Sequence, residues 1–367
     1  MSKRVHYIDW LRVLAVLLLF PFHVSRVSNA YEAFYVKSAH LSAAIDPVLS
    51  FISVWHMPLL FMLAGASSYF ALKKRTGGQY ALERLGRIML PFAVGFVLLI
   101  PPQTWYGAQF NSGYTGSFLH YIVSGDFLVW NIRDGGDYFG GFGIGHLWFL
   151  LWLFVISIAA LPLMMWGKRE GGSRQLSRFA RLLASPAGWL VAALAIFIGE
   201  AMPDPVGKNV FFYFVFFALG YCSMFNDSFA ESAERMRWLA LALGVGLSLT
   251  WVFGGSLRDS LPDPSWGRVA FSYGGALASW TSIVAAIGFG KHYLDTPSKA
   301  LAYLAPASYP LYLLHQTVIV VAAFYIVQLP VGGVVQWLAL FTATIAGTFG
   351  GYELLRRLPV KRFFGIS

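Results

Sequence analysis

The chain contains little charge and almost no cysteine. Only 12% of its 367 residues are charged, whereas 57% are hydrophobic and 17% are aromatic, and its mean hydropathy is +0.61. This composition excludes an ordinary soluble globular protein. The single cysteine, Cys222, lies in an apolar segment, which excludes an intramolecular disulfide framework and a cysteine-ligated metal site. Packing of apolar helices must therefore hold the fold together.

The sequence also has no polar stretch long enough to form a separate soluble domain. Ten apolar runs are instead long enough to cross about 30 Å of hydrocarbon, and they are 8–28, 48–72, 87–102, 146–166, 187–203, 208–225, 238–255, 269–290, 305–327 and 334–355. They predict an all-α, polytopic membrane bundle of about ten transmembrane helices in one domain, 1–367. The first run is predicted to be a retained span because it is long, carries His23 and lacks a small-residue cleavage site.

The net charge of +10 arises from basic residues that are distributed unequally between the predicted connections. Twenty of the 27 lysines and arginines fall in the connections on one side, and six fall on the other. By the positive-inside rule, both termini are predicted to be cytoplasmic. The expected partner of the basic groups is the lipid bilayer and not nucleic acid, and the basic tail from Arg356 to Arg362 is expected to bind anionic headgroups.

Two predicted connections are unusual in length or composition. The outer connection 103–145 contains ten glycines, and its aromatic residues include Trp105, Tyr106, Tyr114, Trp130 and Tyr138. Aromatic faces stack on the apolar faces of sugar rings, so an extracytoplasmic carbohydrate lid is predicted; an interfacial aromatic belt on a flexible loop explains it equally well. The cytoplasmic connection 167–186 is basic and contains Gly-Gly-Ser, which predicts a solvated linker.

The first span contains charged and titratable residues where apolar ones are expected. Arg12 and His23 are eleven residues apart, so in an α-helix their side chains point the same way about 16 Å apart. Asp9 can pair with Arg12 on the same face. A basic residue in a span costs about 2.5–3.5 kcal/mol on insertion scales, which indicates a functional site. Alternatively, Arg12 snorkels to the headgroups and His23 caps a neighbouring carbonyl.

Four histidines occur at comparable depth in different spans, and they are His23, His56, His146 and His315. Their positions allow them to converge. No metal site is expected, because the His-Glu-x-x-His pattern of zinc enzymes is absent from the sequence. One histidine is predicted to act as a general base, since the pKa of imidazole lies near the operating pH. The other three are interpreted as packing or substrate-orienting groups, and Glu200 is a further carboxylate that could partner a histidine.

Arg84 and Arg87 lie one turn apart, just before the third predicted span. Guanidinium groups suit phosphate because of their fixed fork geometry. Together with Arg12 at the same membrane face, the two arginines would form an anion-binding funnel. The alternative is that they are ordinary members of a basic inner loop.

Six sequence blocks occur in order between about residues 5 and 325, and they are Tyr7-Ile8-Asp9-Trp10-Leu11-Arg12, Pro21-Phe22-His23, His56-Met57-Pro58-Leu59, Arg84-x-x-Arg87-Ile88-x-x-Pro91, Gly145-His146-Leu147-Trp148 and Ser308-Tyr309-Pro310-Leu311-Tyr312-Leu313-Leu314-His315-Gln316. These blocks resemble the membrane-bound acyltransferase-3 family, and within it the branch of periplasmic glucan succinyltransferases. The chain has Ala64-Gly65 where Ser-Gly is usual in that family.

The resemblance implies an enzyme of the bacterial inner membrane that moves an acyl group from cytoplasmic acyl-CoA, either succinyl-CoA or acetyl-CoA, to a hydroxyl of an extracytoplasmic glycan. His23 matches the histidine that is essential in such proteins, and Arg12 matches its partner in the motif. We therefore expect His23, Arg12 and Asp9 to be catalytic and Arg84, Arg87 and Arg12 to bind the donor. The residues expected to contact the acceptor are His56, His146, Trp148, His315 and Glu200.

Three alternatives remain open at the level of the sequence. An acyl-histidine intermediate would serve the chemistry as well as direct transfer. A multispan transporter of a small anionic or acylated substrate would also place polar residues in spans, although no internal repeat supports it. A non-catalytic role in a glycan-assembly complex is the third. Homo-oligomers are left open, because lipid-facing and partner-facing apolar surfaces are alike in sequence.

Overall fold

The described part of the polypeptide is mainly helical. A computed structural model describes residues 5–125, 136–141, 143–204 and 207–366, so Trp130 of the predicted lid lies outside the described residues. In chain order the α-helices are α1 (His6–Arg26), α2 (Ile45–Ser53), α3 (His56–Leu72), α4 (Gly77–Arg84), α5 (Leu90–Leu98), α6 (Ile100–Ser112), α7 (Phe118–Val123), α8 (Trp148–Ala159), α9 (Leu161–Gly167), α10 (Glu170–Leu183), α11 (Pro186–Glu200), α12 (Val210–Ser223), α13 (Ser228–Arg235), α14 (Arg237–Phe253), α15 (Gly255–Ser260), α16 (Trp266–Leu294), α17 (Lys299–Ile326) and α18 (Gly333–Leu355).

Six helical segments of the described chain are long and apolar enough to cross a membrane, and they are His6–Arg26, Ile45–Leu72, Gly77–Ser112, Trp266–Leu294, Lys299–Ile326 and Gly333–Leu355. The number rises to nine if each of three bent helix pairs is one span. The helix α14 is apolar but shorter. The predicted class, an all-α multi-pass membrane protein, is thus confirmed at this level, whereas the count of ten spans and the cytoplasmic termini stay predictions.

Most of the connection 167–186, which the sequence predicted to be a solvated cytoplasmic linker, is helical. Residues Glu170–Leu183 form α10, and Leu176, Ala180 and Leu183 are buried on one side of it. Their spacing of four and three residues is the period of a helix with one apolar face. The helix ends at Leu183, and Ser185 caps the start of α11 because its hydroxyl accepts from Gly188 N. The axes of the two helices are inclined by 107°.

The connection predicted to be extracytoplasmic, 103–145, begins later than expected. The helix α6 continues to Ser112 and ends at Gly113, which adopts φ +66°. A glycine accepts this left-handed conformation without a steric penalty and is common just beyond a helix. The first ten residues of the predicted loop 103–145 are therefore helical.

The first helix occupies a central position in the bundle. It packs against α3, α16, α17 and α18, and one side of it is lined by buried residues such as Leu11, Ala15 and Leu19. The core that surrounds it is apolar and aromatic. Polar side chains on α1 are consequently brought next to polar side chains on α3 and α17.

Candidate active site

His23 lies in the last turns of α1 beside a cavity of about 670 Å³. His56, His146 and Trp148 line the same cavity, so three of the residues expected to contact substrate share one space with His23. The volume falls in the range of about 300–1,000 Å³ that is typical of ligand sites.

His315 lies behind His23, on α17. Its Nε2 is 3.1 Å from His23 Nδ1, the two ring centroids are 5.1 Å apart, and the side chain is fully buried. His315 is not one of the described residues that line the cavity. Its position is therefore that of a group which contacts His23 and does not itself face the cavity.

The hydrogen bonds of this pair assign the protons. His315 Nδ1 is 2.6 Å from the carbonyl oxygen of Tyr312, and because a carbonyl only accepts, Nδ1 carries the hydrogen. In the neutral ring His315 Nε2 then accepts from His23 Nδ1, which also lies 3.2 Å from Leu19 O. His23 Nε2 is left as the nitrogen with a lone pair, as a general base requires.

The other two histidines use one nitrogen each on the backbone. His56 Nε2 donates to Ala15 O at 2.6 Å, and His146 Nε2 donates to Leu313 O at 3.0 Å. The ring of His146 lies 5.4 Å from that of His315, centroid to centroid, and its Nδ1 is buried without a partner among the described residues. These two rings are thus held in place by α1 and α17.

A buried acid at the cavity wall was not identified from the sequence. Asp137 is 4% exposed, lines the cavity and accepts a hydrogen bond from the hydroxyl of Tyr35. It lies in a short 3₁₀ turn, Gly136–Phe139, outside the spans. Burial raises the pKa of Asp137 to about 7, because an apolar surrounding disfavours the charged form. The run Asp-Gly-Gly-Asp resembles a turn, so the sequence offered no signal for burial.

Arg12 and Arg84 bind neighbouring residues of α3. Arg12 Nη2 donates to Ser67 Oγ at 2.6 Å, and its Nη1 pairs with Asp9 at 3.2 Å. Arg84 Nη2 donates to Ser68 Oγ at 3.0 Å, and its guanidinium lies over the ring of Tyr80. Ser67 and Ser68 are consecutive residues of α3, and they bind two of the three arginines that were expected to hold the donor. No sequence pattern had indicated a role for these serines.

Arg87 is placed differently from the other two arginines. Its side chain is 73% exposed and pairs with Glu83 at 3.1 Å. It lies in a π-helical turn, Leu85–Met89, a rare geometry that often occurs at functional sites. Arg12 and Arg87 are not among the residues that line the cavity at His23.

The expected carboxylate Glu200 and two aromatic residues of the predicted lid, Trp105 and Tyr106, do not line the cavity at His23. Glu200 lines a neighbouring cavity of about 320 Å³. On α6, Tyr106 bonds to Tyr325 and Trp105 donates to Gly116 O, so both pack against the protein. Tyr138 does line the cavity at His23. Within the described ranges, no group of three or more histidine, cysteine, aspartate or glutamate side chains is arranged to hold a metal ion.

Comparison with known protein families identifies the family of this chain. The family described as an acyltransferase domain, acyltransferase-3, matches residues 5–353, which is nearly the whole chain. The chain belongs to the acyltransferase-3 family. The resemblance drawn from the six sequence blocks is thereby confirmed, and the protein is a multi-pass membrane acyltransferase.

Curated relatives of this acyltransferase-3 protein are named glucans biosynthesis protein C. The protein from Escherichia coli O139:H28 is 22% identical over 386 residues, which cover 99% of this chain and 94% of the relative. The protein from Salmonella paratyphi A is 23% identical over 378 residues, with the same coverage. No solved structure gives a significant match. The similarity therefore extends over the full bundle and is not confined to one motif.

Proposed function

We propose that this acyltransferase moves an acyl group, succinyl or acetyl, from cytoplasmic acyl-CoA to a hydroxyl of an extracytoplasmic glycan, with His23 as the general base. The observation that carries the proposal is the assigned tautomer of His23, whose Nε2 keeps its lone pair beside a cavity. The glycan acceptor is supported by the name of the relatives, glucans biosynthesis protein C.

In the proposed reaction, His23 Nε2 removes the proton of the acceptor hydroxyl, and the oxygen attacks the carbonyl carbon of the thioester. The carbon–sulfur bond then breaks, and the coenzyme A thiolate takes the proton back from the imidazolium. His315 stays neutral throughout and accepts from His23 Nδ1. This contact orients the base and disperses the charge that it acquires, as a triad's third member does.

The donor is proposed to bind at the opposite end of α1. Arg12 and Arg84, held by Ser67 and Ser68, present two cations at this end, and Arg87 adds an exposed guanidinium on the same side. Phosphate groups suit such forks. Arg12 and His23 are separated by about 16 Å along the helix, a distance that an extended pantetheine arm would span. The direction of transfer further assumes that the basic connections lie in the cytoplasm.

Transfer is tested with purified protein in lipid nanodiscs, radiolabelled succinyl-CoA or acetyl-CoA, and a periplasmic glucan extract. We expect label in carbohydrate with the parent protein and at least about 10²-fold less with His23→Ala, because a positioned base contributes about that much or more. His120→Ala is the matched control, since His120 lies on the short helix α7 outside the cavity. Equal transfer by parent and His23→Ala would remove His23 from the mechanism.

A further inference from the structure

A second cavity of about 320 Å³ lies directly beside the cavity at His23. Four residues line both, and they are Phe22, Arg26, Glu32 and Ser53. Phe22 precedes His23 in α1, and their rings are 5.2 Å apart, centroid to centroid. A ligand with two linked units could therefore occupy both spaces with one unit at His23.

The wall of this second cavity is polar and rich in hydrogen-bond acceptors. Three carboxylates line it, from Glu32, Asp46 and Glu200. The first pairs with Arg26, and the second accepts from Asn29 and two backbone amides. No hydrogen-bond partner for the carboxylate of Glu200 is found in the described part of the chain, so this acceptor remains available to a ligand.

The indole ring of Trp251 forms another part of the cavity wall. Trp251 stacks on Phe271, with ring centroids 5.3 Å apart and planes inclined by 30°. A Cβ atom added to Gly275 would lie 2.5 Å from the indole, so the absence of a side chain at this position lets the ring approach α16. The indole is thus packed on α16, the guanidinium of Arg258 lies 5.8 Å from its ring centroid, and the ring lines the cavity together with Gly275.

The carboxylates and the indole of this cavity together favour one chemical class of ligand. Carboxylates accept hydrogen bonds from hydroxyl groups, and an indole face contacts the C–H face of a ring. An anion is disfavoured, because the cation of Arg26 already pairs with Glu32 and the carboxylates of Asp46 and Glu200 also line the cavity. A purely apolar ligand would leave the carboxylate of Glu200 desolvated and unpaired. A neutral ring that carries several hydroxyl groups satisfies both walls.

We propose that this second cavity is a subsite for a neighbouring sugar residue of the acceptor, with Glu200 and Trp251 as its binding residues. The proposal rests on the proposed function at His23. It makes the acceptor an oligosaccharide: one sugar presents its hydroxyl to His23, and the next sugar is bound between Glu200 and Trp251. A monosaccharide would make only the first set of contacts.

The test compares glucose with a β-linked glucose tetrasaccharide as acceptors for the protein in nanodiscs. We expect kcat/KM for the tetrasaccharide to exceed that for glucose by at least about tenfold. Glu200→Gln, which changes the charge and keeps the shape, and Trp251→Ala should each raise KM for the tetrasaccharide about tenfold. Unchanged KM for the tetrasaccharide in Glu200→Gln overturns the subsite. A rise in KM for acyl-CoA as large as the rise in KM for the tetrasaccharide would also overturn the subsite.

A control variant and a binding measurement distinguish failure of the subsite from failure of the proposed function. Glu170→Gln is the matched control, because Glu170 is exposed on α10 and pairs with Arg174. Binding of the tetrasaccharide to His23→Ala, followed by isothermal titration calorimetry, needs no turnover. Binding that is lost in the double variant with Glu200→Gln supports the subsite even if no acyl transfer occurs, which would contradict the proposed function alone. Equal transfer to glucose and tetrasaccharide contradicts the subsite and leaves the proposed function standing.

Discussion

At the scale of single residues, the four histidines differ in which nitrogen the backbone engages. His56 and His146 donate from Nε2 to carbonyl oxygens. His23 instead uses Nδ1, which contacts Leu19 O and His315 Nε2. The ring nitrogen that contacts the backbone thus differs between these histidines, because the nearest acceptor sets the tautomer of each ring.

His315 is expected to act through His23 as a positioning residue. Replacing it with Leu removes one of the two acceptors near His23 Nδ1–H and leaves only Leu19 O at 3.2 Å, so the imidazole is held less firmly and the charge that it acquires is no longer dispersed onto His315. We expect kcat to fall by about 10²-fold or more with KM for both substrates nearly unchanged. Steady-state kinetics of the His315→Leu variant in nanodiscs measure this effect.

The conservative variant His315→Gln provides the control, because the amide oxygen of Gln can accept from His23 Nδ1. Partial recovery of kcat relative to His315→Leu is the expected result. A raised KM with unchanged kcat in both variants would instead assign His315 to substrate binding.

Asp137 is expected to make stability depend on pH. Burial raises its pKa to about 7 in the folded protein, from the usual value of 3.8 for an exposed aspartate. Because the folded-state value is the higher one, the contribution of the neutral acid is fully present below about pH 4. It is lost as the pH rises through 7. The difference corresponds to roughly 4 kcal/mol at most, at about 1.36 kcal/mol per pH unit.

The variant Asp137→Asn cannot ionise, so the fall in melting temperature between pH 5 and pH 8 should become smaller than in the parent. Thermal unfolding in nanodiscs across this range measures it. Asp259→Asn, at a carboxylate that is 66% exposed, should behave like the parent. An identical pH profile in parent and Asp137→Asn would contradict the assignment.

At the scale of helices, glycines decide how closely α3 and α12 approach. A Cβ atom at Gly65 would lie 1.9 Å from Phe217 O, and one at Gly220 would lie 2.0 Å from Met62 O. Small residues allow such contacts between backbones in membrane proteins. The contact fixes α3, which carries His56 near one end and Ser67 and Ser68 near the other. Gly65 therefore has a packing role, whatever residue precedes it.

Gly65→Ala should destabilise the bundle, because the added methyl meets backbone that cannot move away. Overpacking of this kind costs about 1–3 kcal/mol. We expect a lower melting temperature and a smaller monodisperse fraction in size-exclusion chromatography. Gly246→Ala on α14 is the matched control, since a Cβ there meets nothing within 4 Å. Equal stability of the two variants would show that α3 and α12 can separate at little cost.

At the scale of the whole molecule, α1 joins the two ends of the proposed reaction. Its first turns hold Asp9 and Arg12, and its last turns hold His23. Between them, Ala15 O accepts from His56. The cavity at His23 extends to Leu19 and Met57, and Arg12 is not part of its wall. In the proposed reaction, the acyl group of the donor therefore passes the level of the contact between His56 and Ala15.

The orientation of the bundle can be tested by labelling single cysteines. In a Cys222→Ser background, Ser260→Cys is expected to react with a membrane-impermeant maleimide in intact spheroplasts. Gly171→Cys is expected to react only after lysis, because its connection is basic. Both positions are exposed. The parent protein is the control, since Cys222 is 5% exposed. The opposite labelling pattern would reverse the membrane orientation and with it the proposed direction of transfer.

Local patterns predicted much of the fold and part of the candidate site. The apolar runs predicted the all-helical, multi-pass class, and the spacing from Arg12 to His23 predicted two polar groups at the two ends of one helix. The connection 167–186 was misread, because its glycines and charges masked the buried positions Leu176 and Leu183. Asp137 was not identified because its burial depends on Tyr35, which is about a hundred residues away.

The sequence by itself determined the membrane location, the helical class and the family, because hydrophobicity and motif spacing are local properties of the chain. Only the tertiary structure decided that His315 accepts from His23, that Ser67 and Ser68 hold the two arginines, and that Glu200 lies in a separate cavity. These contacts join residues on different helices. Their geometry depends on how closely the helices pack, which glycines such as Gly65 set through contacts far apart in sequence.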